Sequence, residues 1–239
     1  MKKTLLVWKL FPDLVKVMHA ETEACGSKGT AHDLIHDLTV AQYCLLIERD
    51  QSFAQLATIA ALCHSTDRRY PTDSDAERSD RIDDYLLQGT KLNPSERGTV
   101  IGTVLEHHKP NEQGDGKLLR ILKDADRLAN LSLPATLRCA QFYHALPTFD
   151  PRYVAQPDPK ATYRQPLTVL HDVRSALEWD PREGKEKFCL RLPKAIKLAT
   201  PYFDWLKAGI ALTEQQVLET SIRDFKSSGL PLDLSTPFM

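Results

Sequence analysis

Apolar positions recur along this chain at intervals of three and four, the period of an amphipathic helix, and period-two stretches that would read as strands are hard to find. The segment 34–48 sets Val40, Tyr43, Cys44 and Ile47 on one face. The next, Phe53-Ala-Gln-Leu-Ala-Thr-Ile-Ala-Ala-Leu-Cys63, is apolar nearly all round and predicts a central buried helix. After Asn93-Pro94 a further helix starts near Ser95, carries Val100, Ile101, Val104 and Leu105, and is stopped by Lys109-Pro110. Leu118, Leu119, Leu122, Ala125 and Leu128 form one more stripe. Between Asp67 and Lys91 a charged excursion leads into a short helix around Ile82, Tyr85 and Leu86 that stops at Gly89. Pro147, Pro151, Pro157, Pro159 and Pro166 mark an irregular stretch over about 146–166, a loop or lid-like wing, after which helical patterns return over about 167–225. The tail from Gly229 reads as an extended arm. The expected fold is all-α, a helical bundle in a single domain over 1–239.

Polar residues interrupt these stripes where burial is expected. His36 lies at helical spacing with Val40, Tyr43 and Ile47, and His64 closes the all-apolar helix. His107 and His108 follow Val104 and Leu105, and Asp126 sits inside the last stripe with Leu119 and Leu122. Burying an imidazole or a carboxylate without a partner costs several kcal/mol, on the order of 2–7 for a neutral polar group. Several such groups in separate apolar segments therefore point to a shared partner, most simply a metal ion.

The order of these residues resembles the HD-domain metal-dependent phosphohydrolases. Ala31-His-Asp-Leu-Ile-His-Asp-Leu-Thr-Val40 is similar to that family's first-ligand segment, with His36 in the ligand position. Ile59-Ala-Ala-Leu-Cys-His64 is similar to the run leading into the His-Asp dyad, and Asp124-Ala-Asp-Arg-Leu128 to the segment carrying the closing aspartate, at Asp126. Glu106-His-His108 resembles the intermediate histidine that some members use for a second metal or for substrate phosphate. The resemblance covers about 30–132 and implies an HD-like helical core there, with a C-terminal helical extension over about 167–225 that is loosely similar to the nucleotide-hydrolysing branch. It further implies hydrolysis of phosphoric esters or anhydrides.

One position departs from the pattern: Ser65 stands where the dyad carries Asp, in His64-Ser-Thr-Asp-Arg68. Asp67 is three residues beyond His64, and i and i+3 share a helix face at roughly 5–6 Å between Cβ atoms, so one ion can take both if the helix persists. If the helix ends at His64, Asp67 instead pairs with Arg68 or Arg69 in solvent, and Ser65→Asp would restore the dyad. His36, His64, Asp67 and Asp126 form the expected ligand set, two imidazoles and two carboxylates suited to a divalent metal ion such as Mn, Fe, Co, Ni or Mg. Arg68 falls where some family members carry a catalytic lysine, and it is expected, with His107 or His108, to steady phosphate charge.

Blander readings stand beside these. A lone His on an apolar face is commonly a hydrogen-bonded core residue, the His107–His108 pair can serve as a helix C-terminal cap, and Asp126 with Arg127 can be an ion pair. His32, Asp33 and Asp37 are either supporting groups behind the ligands or polar residues at a helix start, and His19, His144 and His171 are taken as structural. An adjacent Ser65 and His64 is no sign of a hydrolase triad, because triads are defined in space.

Composition excludes other classes. The 239 residues, 42% of them hydrophobic, suffice for a substantial core. A formal net charge of -1, with no basic run interleaved with aromatics, leaves no electrostatic footprint for nucleic acid. Lys9 and Asp13 break the apolar start that imitates a signal peptide, and nothing spans a membrane. Five widely spaced cysteines, Cys25, Cys44, Cys63, Cys139 and Cys189, look like reduced thiols of a cytoplasmic protein. No Gly-x-x-x-x-Gly-Lys, Gly-x-Ser-x-Gly or Cys-x-x-Cys occurs. The expected partner is a small phosphorylated substrate, a homo-oligomer being compatible with the composition. The alternative is a catalytically inactive HD-like protein that binds a nucleotide, a metabolite or a protein partner.

Overall fold

The structure, a computed structural model, describes residues 6–26, 33–70, 74–162 and 165–220. Six of its helices begin where the sequence supplies a side-chain acceptor for the free N–H groups of a first turn. A short α1 (Val7–Leu10) leads into α2 (Pro12–Ala24), which starts on proline. Asp33 caps α3 (Leu34–Ile47) by accepting from the His36 amide at 2.9 Å, so its role is that of a helix start. Asp50 does the same for α4 (Gln51–Cys63). After the turn at His64 and Ser65 comes the single turn α5 (Thr66–Arg69), then α6 (Asp75–Gly89), capped by Ser74. A capping box of Asn93 and Glu96 opens α7 (Pro94–Glu106). The series closes with α8 (Lys117–Ala129), α9 (Leu133–Phe142), α10 (Val169–Ser175) and α11 (Pro193–Glu219). Among the described residues there are no strands, only an isolated antiparallel bridge between Thr162 and Gln165. The fold is all-α.

The centre is α4, in which Ala54 and every residue from Ala57 to Cys63 are buried. Three alanines on it, Ala57, Ala60 and Ala61, let α3 and α8 approach closely on either side, and these three helices form the innermost layer. Around it pack α2, α6 and α7. Gly89 marks the tightest approach: a Cβ there would lie 2.5 Å from Leu14 Cα. One buried apolar cluster runs from Val7 to Ile210, so α11 shares the core of the N-terminal helices. The fully buried Asp124 anchors it, accepting the Arg191 and Leu192 amides at 2.9 and 2.7 Å where α11 begins.

Two expectations need correction. The charged excursion is helical from Asp75 onward, because Ser74 caps it and Ile82, Tyr85 and Leu86 alone fasten it to the core. Residues 180–192 form no helix, and α11 ends at Glu219. The stretch expected to be irregular, 146–166, carries among its described residues one 3-10 turn, Pro151–Tyr153. The terminal arm from Gly229 and the residue His32 lie outside the described residues. No helix among the described residues is long and apolar enough to cross a membrane.

Candidate metal centre

Mutual packing of α3, α4 and α8 brings three of the expected ligands together. His36 comes from the first turn of α3, His64 from the residue after α4, and Asp126 from the last turn of α8. One donor atom from each lies within 4.8 Å of the others. The His36 and His64 Nε2 atoms are 3.2 Å apart, and Asp126 Oδ1 stands 3.3 Å from the first and 3.7 Å from the second. Both imidazoles are buried while the Asp126 side chain is 27% exposed, so the group opens to solvent on the carboxylate side. Asn130 fixes that carboxylate by donating from Nδ2 to Oδ1 at 3.0 Å. Burial alone would raise the Asp126 pKa, but the hydrogen bond from His36 and the neighbouring charges of His64 and His36 hold it well below the usual range.

Hydrogen bonds around the rings set their tautomers. His64 Nδ1 donates to the Ala61 carbonyl at 2.6 Å, which leaves Nε2 as a lone pair facing the group, the form a metal ligand needs. His107, immediately after α7, repeats the device: Nδ1 donates to the Val104 carbonyl at 2.6 Å, and its ring stands edge-on to that of His64 at 5.3 Å between centroids. Burial, and then the charge of His64, lower the His107 pKa to about 4 against the pull of Asp126. The ring is therefore neutral at pH 7.

Behind His64 lies a buried carboxylate that the dyad pattern does not contain. Asp37 Oδ1 accepts the Ser65 hydroxyl at 2.6 Å and lies 3.4 Å from His64 Nδ1, while Oδ2 is paired with the fully buried guanidinium of Arg69. Asp37 is thus a supporting group. Arg138 on α9 supplies a second one: its Nη2 donates to His36 Nδ1 at 3.2 Å. Nothing in the sequence signals Arg138, which sits 102 residues from its partner on a helix with only Ala135 buried.

The remaining expected residues fall around this group rather than in it. Asp67 is not among the three grouped donors; α4 ends before His64, so the i+3 relation is lost, and Asp67 instead faces Arg68 at 3.5 Å. Its charge still reaches His107. The Arg68 side chain is 60% exposed. His108 is exposed and touches the group only through the ring of His107, at 5.7 Å between centroids.

No family model, curated protein or solved structure matches the chain. The donor set itself, two imidazole nitrogens and one carboxylate oxygen with a solvent-facing side, fits a borderline divalent cation that keeps positions open.

Proposed function

We propose that the chain is a metal-dependent phosphohydrolase of the HD-like kind, acting on the phosphoric ester or anhydride of a nucleotide or related small metabolite. The observation that carries this reading is the meeting of His36, His64 and Asp126 from three helices, with His64 already in the ligand tautomer. A divalent cation bound there would neutralise phosphoryl oxygens and make a bound water more acidic. The chain's own residues do the rest. Hydrolysis joins a water oxygen to phosphorus, breaks the bond to the leaving oxygen, and requires the water to lose a proton. With its pKa lowered to about 4, His107 does not keep that proton, which passes to solvent on the exposed Asp126 side. His107 Nε2, unprotonated because Nδ1 is tied to Val104, can accept the water's hydrogen bond. Arg68, exposed and paired with Asp67 at 3.5 Å, would exchange that carboxylate for phosphate oxygens, which its fork can meet in bidentate fashion. Five free cysteines, two of them fully buried, support a reducing, cytoplasmic setting.

The test is phosphate or pyrophosphate release from a panel of nucleotides and sugar phosphates with Mn²⁺ or Co²⁺. Turnover that is abolished by chelation and by Asp126→Asn is expected; a panel without metal-dependent turnover rejects the reading. The second reading, a binder without chemistry, is favoured by one observation: Ser65 leaves the group with a single carboxylate.

A further inference from the structure

The two oxygens of the Asp126 carboxylate stand in unlike settings. Oδ1 faces both imidazoles, 3.3 Å from His36 Nε2 and 3.7 Å from His64 Nε2. Oδ2 has no hydrogen-bond partner among the described residues and is not sealed off from solvent, so it can meet water. What keeps the two from exchanging is Asn130, four residues on and immediately after α8. Both protons of its amide go to Asp126: Nδ2 donates to Oδ1 and to the main-chain carbonyl, each at 3.0 Å. An amide nitrogen has two donors, and both of its neighbours here are acceptors, so the amide can face only one way. Together the two bonds tie the carboxylate to its own backbone, and turning that side chain would break one of them.

We propose that Asn130 is a positioning residue of the hydrolase: it commits Asp126 Oδ1 to the metal and thereby reserves Oδ2 for the attacking water. The proposal rests on the metal-centre reading above. A carboxylate free to turn can offer a cation both of its oxygens, which leaves none for water. Held by Asn130, it offers one. Oδ2 then accepts a hydrogen bond from the water and fixes how that water is oriented. Closing α8 does not by itself demand an amide side chain at this position. The cap is made by the Asn130 backbone N–H, which donates to the carbonyls of Asp126 and Arg127 at 3.2 and 3.1 Å, and any residue but proline supplies that donor.

Co²⁺ affinity and the visible absorption of bound Co²⁺, measured for wild type, Asn130→Ala and Asn130→Gln, test it, with the Tm in chelator as the check on folding. Asn130→Ala should bind Co²⁺ about tenfold more weakly and with a changed absorption spectrum, because its carboxylate turns freely, while its Tm in chelator stays close to that of the wild type. Asn130→Gln, which keeps an amide donor on a longer arm, should recover part of the affinity and the wild-type spectrum. Co²⁺ bound as tightly by Asn130→Ala as by the wild type, with the same spectrum, overturns this proposal and leaves the metal centre standing. A loss in Asn130→Ala that Asn130→Gln does not relieve overturns it as well, since the amide donor would then not be what matters. A wild type that takes up no Co²⁺ overturns the metal reading itself, and this proposal with it.

Discussion

Ser65→Asp is the substitution on which the family resemblance and the structure disagree. On the resemblance alone it restores the missing dyad and strengthens metal binding. In the structure the Ser65 hydroxyl is buried and donates to Asp37 Oδ1 at 2.6 Å, so the new carboxylate meets an existing one. Two unit charges about 4 Å apart at an effective dielectric near 20 repel by about 4 kcal/mol. The introduced carboxyl escapes by staying protonated. From an ordinary Asp value near 3.9, that takes about 3 pK units at pH 7, or about 4 kcal/mol, and only about 1.5 kcal/mol at pH 5. Arg69 is already engaged on the other oxygen of Asp37. Against a domain stability on the order of 5–15 kcal/mol, the loss at pH 7 is large. The assay is urea unfolding in chelator at both pH values, with Ser65→Ala as control; the latter loses the hydroxyl donor and costs about 1–3 kcal/mol. The expected outcome is a Ser65→Asp deficit that shrinks by more than half from pH 7 to pH 5. A variant as stable as wild type at pH 7 refutes the placement of Asp37 against Ser65.

Asp67→Ala should leave metal affinity within about twofold and stability within about 1 kcal/mol, since it removes an ion pair with an exposed Arg68; calorimetric Mn²⁺ titration checks this, and loss of the ion would restore Asp67 as a ligand. Acid should weaken the metal-free fold through His107: the unfolded chain takes up a proton near its ordinary value of 6.5 and the folded chain only near 4, so stability falls as pH drops across that window. Unfolding followed from pH 7 to 4 should show a shallower decline in His107→Gln, and identical slopes would mean the ring is not held neutral. Gly89→Ala should cost about 1–3 kcal/mol, because its Cβ would have to displace the Leu14 backbone; a Tm equal to wild type would show that α2 and α6 do not approach so closely.

Much of this molecule was legible because helix period and burial coincide. The largely apolar run 53–63 lies in α4, and the stripe around His36 aims that side chain inward, whereas Asp126, expected to point at the core, stands 27% exposed on the open side of the group. His64 was readable for the same reason, as a polar end to an apolar helix. Asp67 was not, because whether a helix continues past His64 depends on the Ser65–Asp37 hydrogen bond and the turn it accompanies, both tertiary. The start of α6 lacks an apolar signal before Ile82; the cap at Ser74 with Glu77 three residues on was the available cue. Asp124 is more deeply buried than Asp126 although two residues away, since its partners are the amides of Arg191 and Leu192, far along the chain. Arg138 acts through a contact of the same long-range kind, and helix period does not reveal it.

The central claim, that three helices deliver His36, His64 and Asp126 as one cation site, is tested most directly by calorimetric Mn²⁺ titration of chelator-treated wild type beside Asp126→Asn. About one ion per chain in the wild type is expected, with binding lost or weakened at least about tenfold when the carboxylate becomes a neutral amide. Absence of Mn²⁺ binding in the wild type, or undiminished binding in Asp126→Asn, would contradict the account.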